Sequence, residues 1–237
     1  MEKRIGVLGG MGSAASETFY KLTIDMTEAE CDQDYMDMII YSDSGMKDRT
    51  RAILEKDYTE VSERILGDIE LLEKSGCEAI GITCNTAHFF VDLLGDRIKV
   101  RVVHMIRETV NFINSRFPGG KIAILATDGT IKTGLYENYL KEAGLEPYIP
   151  SEEIQKKVMY EIYDCIKAGK PADMEVWNQI DKAIKDQGCC AAILGCTELS
   201  VIKDRNSLSA YYVDPMRILA SKLIEISGKK IKEDAIS

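Results

Sequence analysis

Along this chain, short apolar runs bounded by glycine or polar residues alternate with longer stretches in which apolar positions recur at helical spacing. The first pattern predicts buried strands and the second amphipathic helices. Strands are expected at Arg4 to Leu8, Asp37 to Tyr41, Ala79 to Thr83, Lys99 to Val103, Lys121 to Leu125, Ala191 to Gly195 and Tyr211 to Val213. The first ends in Gly9-Gly10-Met11-Gly12, after which Ser13 is expected to cap a helix reaching about Ala29. Ser42 to Asp48 reads as a polar loop, and helical spacing runs from Tyr58 to Glu73. A further helix should end near Phe117-Pro118-Gly119-Gly120. Beyond that break a helix follows the Ala126 to Thr130 turn as far as Ala143, and others span Glu152 to Ala168 and Asp173 to Asp186. Asp214-Pro215, an N-cap with proline at the first helical position, opens a closing helix to about Ile226. The polar remainder, Ser227 to Ser237, is expected to fray.

Strands alternating with helices predict an α/β fold with parallel sheets and right-handed crossovers. Within that pattern one unit occurs twice. Gly76-Cys77-Glu78-Ala79 precedes Cys84 by the same interval at which Gly188-Cys189-Cys190-Ala191 precedes Cys196, since 84 − 76 and 196 − 188 are both 8. Each copy is an apolar strand ending in a cysteine, followed by Asn85-Thr86 or Thr197 as expected helix-capping side chains. The repeat predicts two pseudo-symmetric lobes, residues 1–104 with 211–237 returning as the closing helix, and residues 105–210, with an active site in the cleft between them. Open α/β sheets bind ligands beyond the carboxyl ends of their strands, where all the unusual turns of this chain fall. A thiol there, beside the opening amides of a helix, sits where a thiolate is stabilised and an anion can bind.

Charge narrows the partners. With 30 basic against 39 acidic residues the net charge is −9, and no long basic block stands out, which argues against a nucleic-acid or acidic-membrane surface. A small anionic substrate would need local cations from the site itself. The opening MEKRIGVLGGMG has too short an apolar stretch for a signal peptide and no later run approaches a membrane span, so a soluble, cytoplasmic protein is expected. Seven cysteines in a chain without secretory features point to reduced thiols, and Cys77 and Cys189 read as small buried hydrophobes. Without CxxC, and with only His88 and His104 as histidines, no metal-ligand spacing appears and no metal is expected.

The individual motifs carry plainer readings beside the chemical ones. Gly9 to Gly12 lacks the full GxGxxG spacing and a Walker lysine, so it reads as a tight βα turn whose amides can face a carboxylate. His88 lies one helical turn past Cys84 and could pair with it, but the second copy has Ser200 at that offset, which favours a packed or hydrogen-bonded histidine. Glu198 is a candidate partner for Cys196, with capping or solvation nearly as good an account. Arg49 and Lys167 are the basic residues singled out, against a background of solvated surface charges.

Taken in order, GVLGGMG, Asp48-Arg49-Thr50, Thr83 to His88 (TCNTAH), Leu125 to Thr130 (LATDGT), Ile166 to Gly169 (IKAG) and Gly195 to Leu199 (GCTEL) resemble the cofactor-independent aspartate/glutamate racemases, on the aspartate racemase branch. The signatures of cell-wall glutamate racemases differ, because here the first thiol motif ends in His88 and the second reads GCTEL. The resemblance covers nearly the whole chain. It implies that Cys84 and Cys196 are the two acid–base residues, that Arg49 and Lys167 grip substrate carboxylates, and that Met11, Asn85, Thr86, Thr127, Thr130 and Thr197 line an amino-acid pocket. It also implies a homodimer. Two departures alter the pocket rim: Ser13-Ala14-Ala15-Ser16 stands where the family often has a proline and a threonine, and the loop before Asp48 reads SDSGMK rather than a proline-bearing segment.

Inverting an α-carbon requires taking a proton from one face and delivering one to the other, which two thiols on opposite sides can do, with donors around the α-carboxylate stabilising the carbanion. Such a pair gives a reason to expect no pyridoxal phosphate and no other cofactor. The expected function is therefore racemisation of an acidic amino acid, aspartate first. Glutamate or a broader set of amino acids comes next, then maleate isomerase-like or malonate decarboxylase-like chemistry on a related fold, and last a non-catalytic amino-acid sensor.

Overall fold

The computed structural model describes residues 2–233 and 235. The chain divides into two compact units, residues 1–105 with 216–237 and residues 106–215. In the first, β1 (Ile5–Gly9), β2 (Met38–Ser42), β3 (Ala79–Ile82) and β4 (Arg101–Val103) form a parallel sheet in the order β2-β1-β3-β4. In the second, β5 (Lys121–Ala126), β6 (Glu146–Tyr148), β7 (Ala191–Gly195) and β8 (Tyr212–Val213) repeat it as β6-β5-β7-β8, again parallel. The order reverses at β1 in one sheet and at β5 in the other, and such switch points open a crevice at the carboxyl ends of the central strands.

Helices connect these strands. In the first unit they are α1 (Ser13–Met26), α2 (Arg49–Glu55), α3 (Thr59–Lys74) and α4 (Ala87–Leu94). In the second they are α5 (Met105–Arg116), which starts from the last residue of the first unit, α6 (Asp128–Lys132), α7 (Leu135–Glu142), α8 (Glu152–Tyr160), α9 (Met174–Asp186) and α10 (Thr197–Asn206). The last helix, α11 (Pro215–Ser227), returns to the first unit. The central strands β1, β3 and β7 are buried along their whole length, as expected of parallel strands covered on both faces. On α3, Val61, Ile65, Ile69 and Leu72 recur at helical spacing and join Leu8, Ile80 and Ile82 in one core. Gly81 of β3 lets α11 approach, since a Cβ there would stand 2.6 Å from Leu223 Cδ1.

Several elements differ from their sequence expectation for identifiable reasons. The division falls after Pro215 rather than after Ala210, because Tyr212–Val213 pairs with β7 and belongs to the second sheet. Residues 49–55, which lie between the expected loop and the helical spacing from Tyr58 and carry no expectation of their own, form α2, capped by the Asp48 side chain accepting from Arg51 N–H at 2.8 Å and closed by Lys56 in the left-handed region. Two turns are too short to display an apolar stripe. The helix expected to run to Ala143 is two helices, parted at Gly134, whose φ is +66°. Strand β6 contains Pro147, which an edge strand tolerates because one side of it carries no ladder. Ser13 is the first helical residue rather than the cap, which falls on Gly12.

The tail is anchored over the residues described, through backbone hydrogen bonds from Glu28 N–H to Lys230 O and from Lys232 N–H to Met26 O, both 2.9 Å. Residues 234, 236 and 237 of the segment expected to fray, like Met1, lie outside the described residues. Among the described residues no helix is long and apolar enough to cross a membrane.

Gly67 sits in the interior of α3, and a Cβ built on it meets nothing within 4 Å. Gly67→Ala is expected to stabilise the protein by roughly 0.5–1 kcal/mol through helix propensity, read as a higher midpoint in urea at unchanged slope. A lower midpoint would mean that this face of α3 is covered.

Candidate active site

Each sheet delivers one cysteine at the carboxyl end of its corresponding strand. Cys84 follows β3 by two residues and Cys196 follows β7 directly, and both are buried among the residues around them. The helices that follow begin at once, with Thr86 as N-cap of α4 and Cys196 itself as N-cap of α10. The capping expected of Thr86 does not occur, because its side chain accepts no cap hydrogen bond, and Thr197 is already the first helical residue.

In the first unit the Gly9 to Gly12 turn lies beside Cys84, since Leu8 pairs with Ile82 and Thr83 N–H donates to Leu8 O at 3.0 Å. Ser16 Oγ accepts from Gly10 N–H at 2.8 Å and donates to Gly12 O at 3.1 Å, which folds the turn back on its own helix. The loop after β2 presses against this turn: a Cβ on Gly10, whose φ is +85°, would stand 2.4 Å from the backbone carbon of Asp43. Arg49, buried at the start of α2, donates to Met11 O at 3.4 Å, Lys47 O at 3.1 Å and Met46 O at 3.3 Å. Met11, Arg49, Cys84, Asn85 and Thr86 all fall within this unit, at the carboxyl ends of its strands or the helix starts beyond them.

The loop has an anchor that sequence reasoning missed. Arg64 of α3 forks onto Asp43, with Nε to Oδ2 at 2.5 Å and Nη2 to Oδ1 at 2.6 Å, and Asp43 Oδ1 also accepts from Gly45 N–H. The Arg64 guanidinium holds the Asp43 carboxyl below its usual range. Asp68, one turn along α3, is pushed up to about 6, first by burial and then by the negative charge of Asp43. Only Asp68 within a run of apolar α3 positions hinted at it, because a charge on the buried stripe of a helix needs a partner.

His88 has a structural role. Its Nδ1 donates to Cys84 O at 2.9 Å while Nε2 accepts from Met105 N–H at 3.1 Å, so both nitrogens are engaged and the neutral tautomer is fixed. Burial, with the nearby His104 adding to it, pushes His88 down to about 3. It cannot serve Cys84 as an imidazole base without losing these bonds; it ties the Cys84 backbone to the start of α5.

In the second unit Ala126 pairs with Gly195, which places Thr127 beside Cys196. Thr127 caps α6 by accepting from Thr130 N–H, and the two threonine hydroxyls are 3.2 Å apart. Cys196 Sγ donates to Glu198 Oε2 at 2.8 Å, and the other carboxylate oxygen, Oε1, accepts from Lys167 Nζ at 2.5 Å. Lys167 ends a π-helical stretch, Glu161–Lys167, that continues α8, a local widening often found at functional sites. Thr127, Thr130, Lys167, Cys196 and Thr197 therefore gather in this unit, with Glu198 added to them. Among the described residues no cluster of histidine, cysteine and carboxylate side chains is placed to hold a metal ion.

Two repeated α/β units, each with a buried thiol at the strand end where a helix opens, match a known class of enzyme. The chain belongs to the Asp/Glu/Hydantoin racemase family, whose sequence profile matches residues 8–223, and by family it is a racemase, an isomerase. It is 28% identical over 228 residues to the broad specificity amino-acid racemase RacX of Bacillus subtilis, covering 93% of this chain and 96% of that one. The structure is similar to Picrophilus torridus aspartate racemase, with a TM-score of 0.83 at 29% identity over 98% of this chain and 97% of the other. It is also similar to an aspartate racemase homologue from Pyrococcus horikoshii, with a TM-score of 0.76 at 26% identity over 96% and 100% of the two chains.

The Asp68 environment sets a pH dependence. The folded protein holds the Asp68 proton up to about pH 6, whereas the unfolded chain releases it near 3.8, so this group lowers stability as pH rises between those values. Asp68→Asn removes the loss: its stability gain over the parent should widen from pH 4 to pH 6.5, reaching on the order of 1–3 kcal/mol, and then level off. A gain independent of pH would show that Asp68 is not the titrating group.

His88 should remain neutral and Nδ1-protonated from pH 5 to pH 9. Its ring nitrogen shifts, followed by NMR, would contradict this by moving with a midpoint above 5.

Proposed function

We propose that this protein is a cofactor-independent racemase of acidic amino acids, acting first on aspartate, with Cys84 and Cys196 as the two proton-transfer groups. The observation that carries the reading is the matched placement of the two thiols, each buried beyond the equivalent central strand of its own unit at the opening of a helix. One thiol takes the α-proton as thiolate while the other, as thiol, delivers a proton to the opposite face, and their states swap in the reverse direction. The α-carbanion needs preorganised donors, and in this reading Asn85, Thr86, Thr127, Thr130 and Thr197 supply them around the α-carboxylate, with Met11 packing beside the substrate. On a chain of net charge −9, Arg49 and Lys167 are the local cations for a dicarboxylate. The reading assigns one thiol to each of the two units, residues 1–105 with 216–237 and residues 106–215. It includes a homodimer and a cytoplasmic location; seven cysteines without a disulfide support the latter.

A second reading, racemisation of a broader set of amino acids, is favoured by the full-length likeness to the Bacillus subtilis enzyme. One experiment separates the two. Individual L- and D-amino acids are incubated with the protein in D₂O, with a chelator and no added pyridoxal phosphate, quenched at low conversion, and analysed for chirality and α-deuterium. Aspartate is expected to invert with deuterium in the newly formed enantiomer from either direction, because the departing proton stays on one thiol and the arriving one comes from the other, already exchanged. Inversion of many side-chain types at similar rates favours the broad reading. Cys84→Ser and Cys196→Ser should each lower the rate by on the order of 10²–10⁴-fold with the fold retained, a hydroxyl being a far poorer base than a thiol. Product that keeps protium in both directions, or a folded variant with near-parent turnover, contradicts the two-thiol mechanism.

A further inference from the structure

Around the two thiols the sequence repeat is not followed by a chemical repeat. Two residues past Cys196 stands Glu198, and two residues past Cys84 stands Thr86. We propose that Glu198, ion-paired with Lys167, keeps Cys196 in the thiol form in the substrate-free protein, so that Cys196 begins a turnover as the acid and Cys84 as the base. The assignment of acid and base rests on the racemase reading above; the placement of the proton does not.

A proton must lie between Cys196 Sγ and Glu198 Oε2. The two atoms are 2.8 Å apart and both residues are buried, at 7% and 3% of full exposure, where a thiolate facing a carboxylate would repel strongly. The proton belongs on sulfur. An ordinary thiol holds its proton about four pH units more tightly than an ordinary glutamic acid. Lys167 Nζ donates to the other carboxylate oxygen at 2.5 Å, and Glu198 stands in the first turn of α10.

The neighbouring Thr197, Tyr163, Tyr136 and Asp214 do not reverse this. Thr197 Oγ1 lies 3.5 Å from the same Oε2 and donates to it. The Tyr163 ring sits under Lys167 Nζ at 5.7 Å, and burial pushes the Tyr136 hydroxyl well above its ordinary range, so it stays neutral. Asp214 accepts from Ser200 Oγ at 2.6 Å. Glu198 acts through Cys196 and is a positioning residue.

The chemistry follows. When Cys196 acts as the acid, the Cα–H bond on the other face breaks and its proton passes to the Cys84 thiolate, while the Cys196 S–H bond breaks as the new Cα–H bond forms, leaving a Cys196 thiolate against the Glu198 carboxylate with Lys167 as countercharge. The resting state returns when Cys196 takes a proton from water and Cys84 releases its own to water, or when the product enantiomer is inverted by the reverse transfer, Cys196 taking its α-proton and Cys84 giving one back; no further reagent is needed. Cys84 has His88 Nδ1 on its carbonyl and no carboxylate at the equivalent position.

The test reads proton placement without substrate. The full-length protein is alkylated with iodoacetamide from pH 5.5 to pH 10, and modification of each cysteine is followed by peptide mass spectrometry. In the parent, Cys196 should show the higher midpoint and Cys84 the lower. Glu198→Gln removes the negative charge but leaves Lys167, so the Cys196 midpoint should fall by about one pH unit, close to tenfold faster alkylation at pH 7, while that of Cys84 stays in place. Glu198→Asp, which keeps the charge, should leave the Cys196 midpoint near the parent's. Equal or reversed midpoints in the parent overturn the proposal, and this holds even where the Gln variant does not fold. A Cys196 midpoint unmoved or raised in folded Glu198→Gln overturns it as well. Should the midpoints behave as expected while no amino acid inverts, the thiol placement stands and the racemase reading fails.

Discussion

The constraint on which this structure depends is that its central strands have no exposed face. β1, β3 and β7 are buried along their whole length and β5 nearly so, which commits their side chains to packing and leaves polar chemistry nowhere to emerge except where the strands stop. In parallel sheets the strands stop together, so Gly9, Cys84, Thr127 and Cys196 reach the carboxyl ends of their sheets as a consequence of pairing register. Helices must then start within a residue or two, and each thiol meets a helix N-terminus for the same reason. The positions of the two thiols and of the turns beside them are in this sense by-products of burying the sheets.

Close backbone approach is the second element of the design, and it explains why small residues sit where they do. Gly10 has left-handed geometry and no room for a side chain against Asp43, so the turn after β1 and the loop after β2 are fitted to one another. Arg49 then ties that loop to the turn through Met11 O, and the Asp43–Arg64 fork ties it to α3. The second unit reaches the same closeness differently: a Cβ on Gly195 would stand 2.9 Å from Ala126 Cβ and 3.0 Å from Leu125 O, so β5 and β7 meet tightly just before Thr127 and Cys196. Rigid strand ends suit groups that must hold a fixed geometry.

Much of this was legible in the sequence because the signals were periodic or repeated. Strands β1, β2, β3, β5 and β7, the helix carrying Val61 to Leu72, and the equivalence of Cys84 and Cys196 all follow from patterns longer than one turn. What escaped was short or tertiary. α2 and β6 are too brief to show a period, and the break at Gly134 depends on one residue's φ. The Asp43–Arg64–Asp68 cluster joins a loop to a helix some twenty positions on, and no local pattern announces a contact of that kind. For His88 the Ser200 at the matching offset of the second copy already favoured a packed or hydrogen-bonded ring, while the partners themselves, Cys84 O and the Met105 amide, are tertiary and carry no local signal.

The two units also show what internal duplication leaves open. A repeated frame produces equivalent positions, and equivalent positions with the same surroundings would give two thiols of the same proton affinity. In the proposed two-thiol racemisation, transfer across a carbon needs one to give while the other takes. The departure from symmetry therefore has to come from side chains outside the repeat, and here it comes from a carboxylate two residues beyond one thiol and a lysine delivered by a π-helical stretch. Neither belongs to the strand-and-loop unit that the two halves share. The frame sets where the thiols stand, and the unshared charges set which of them holds the proton.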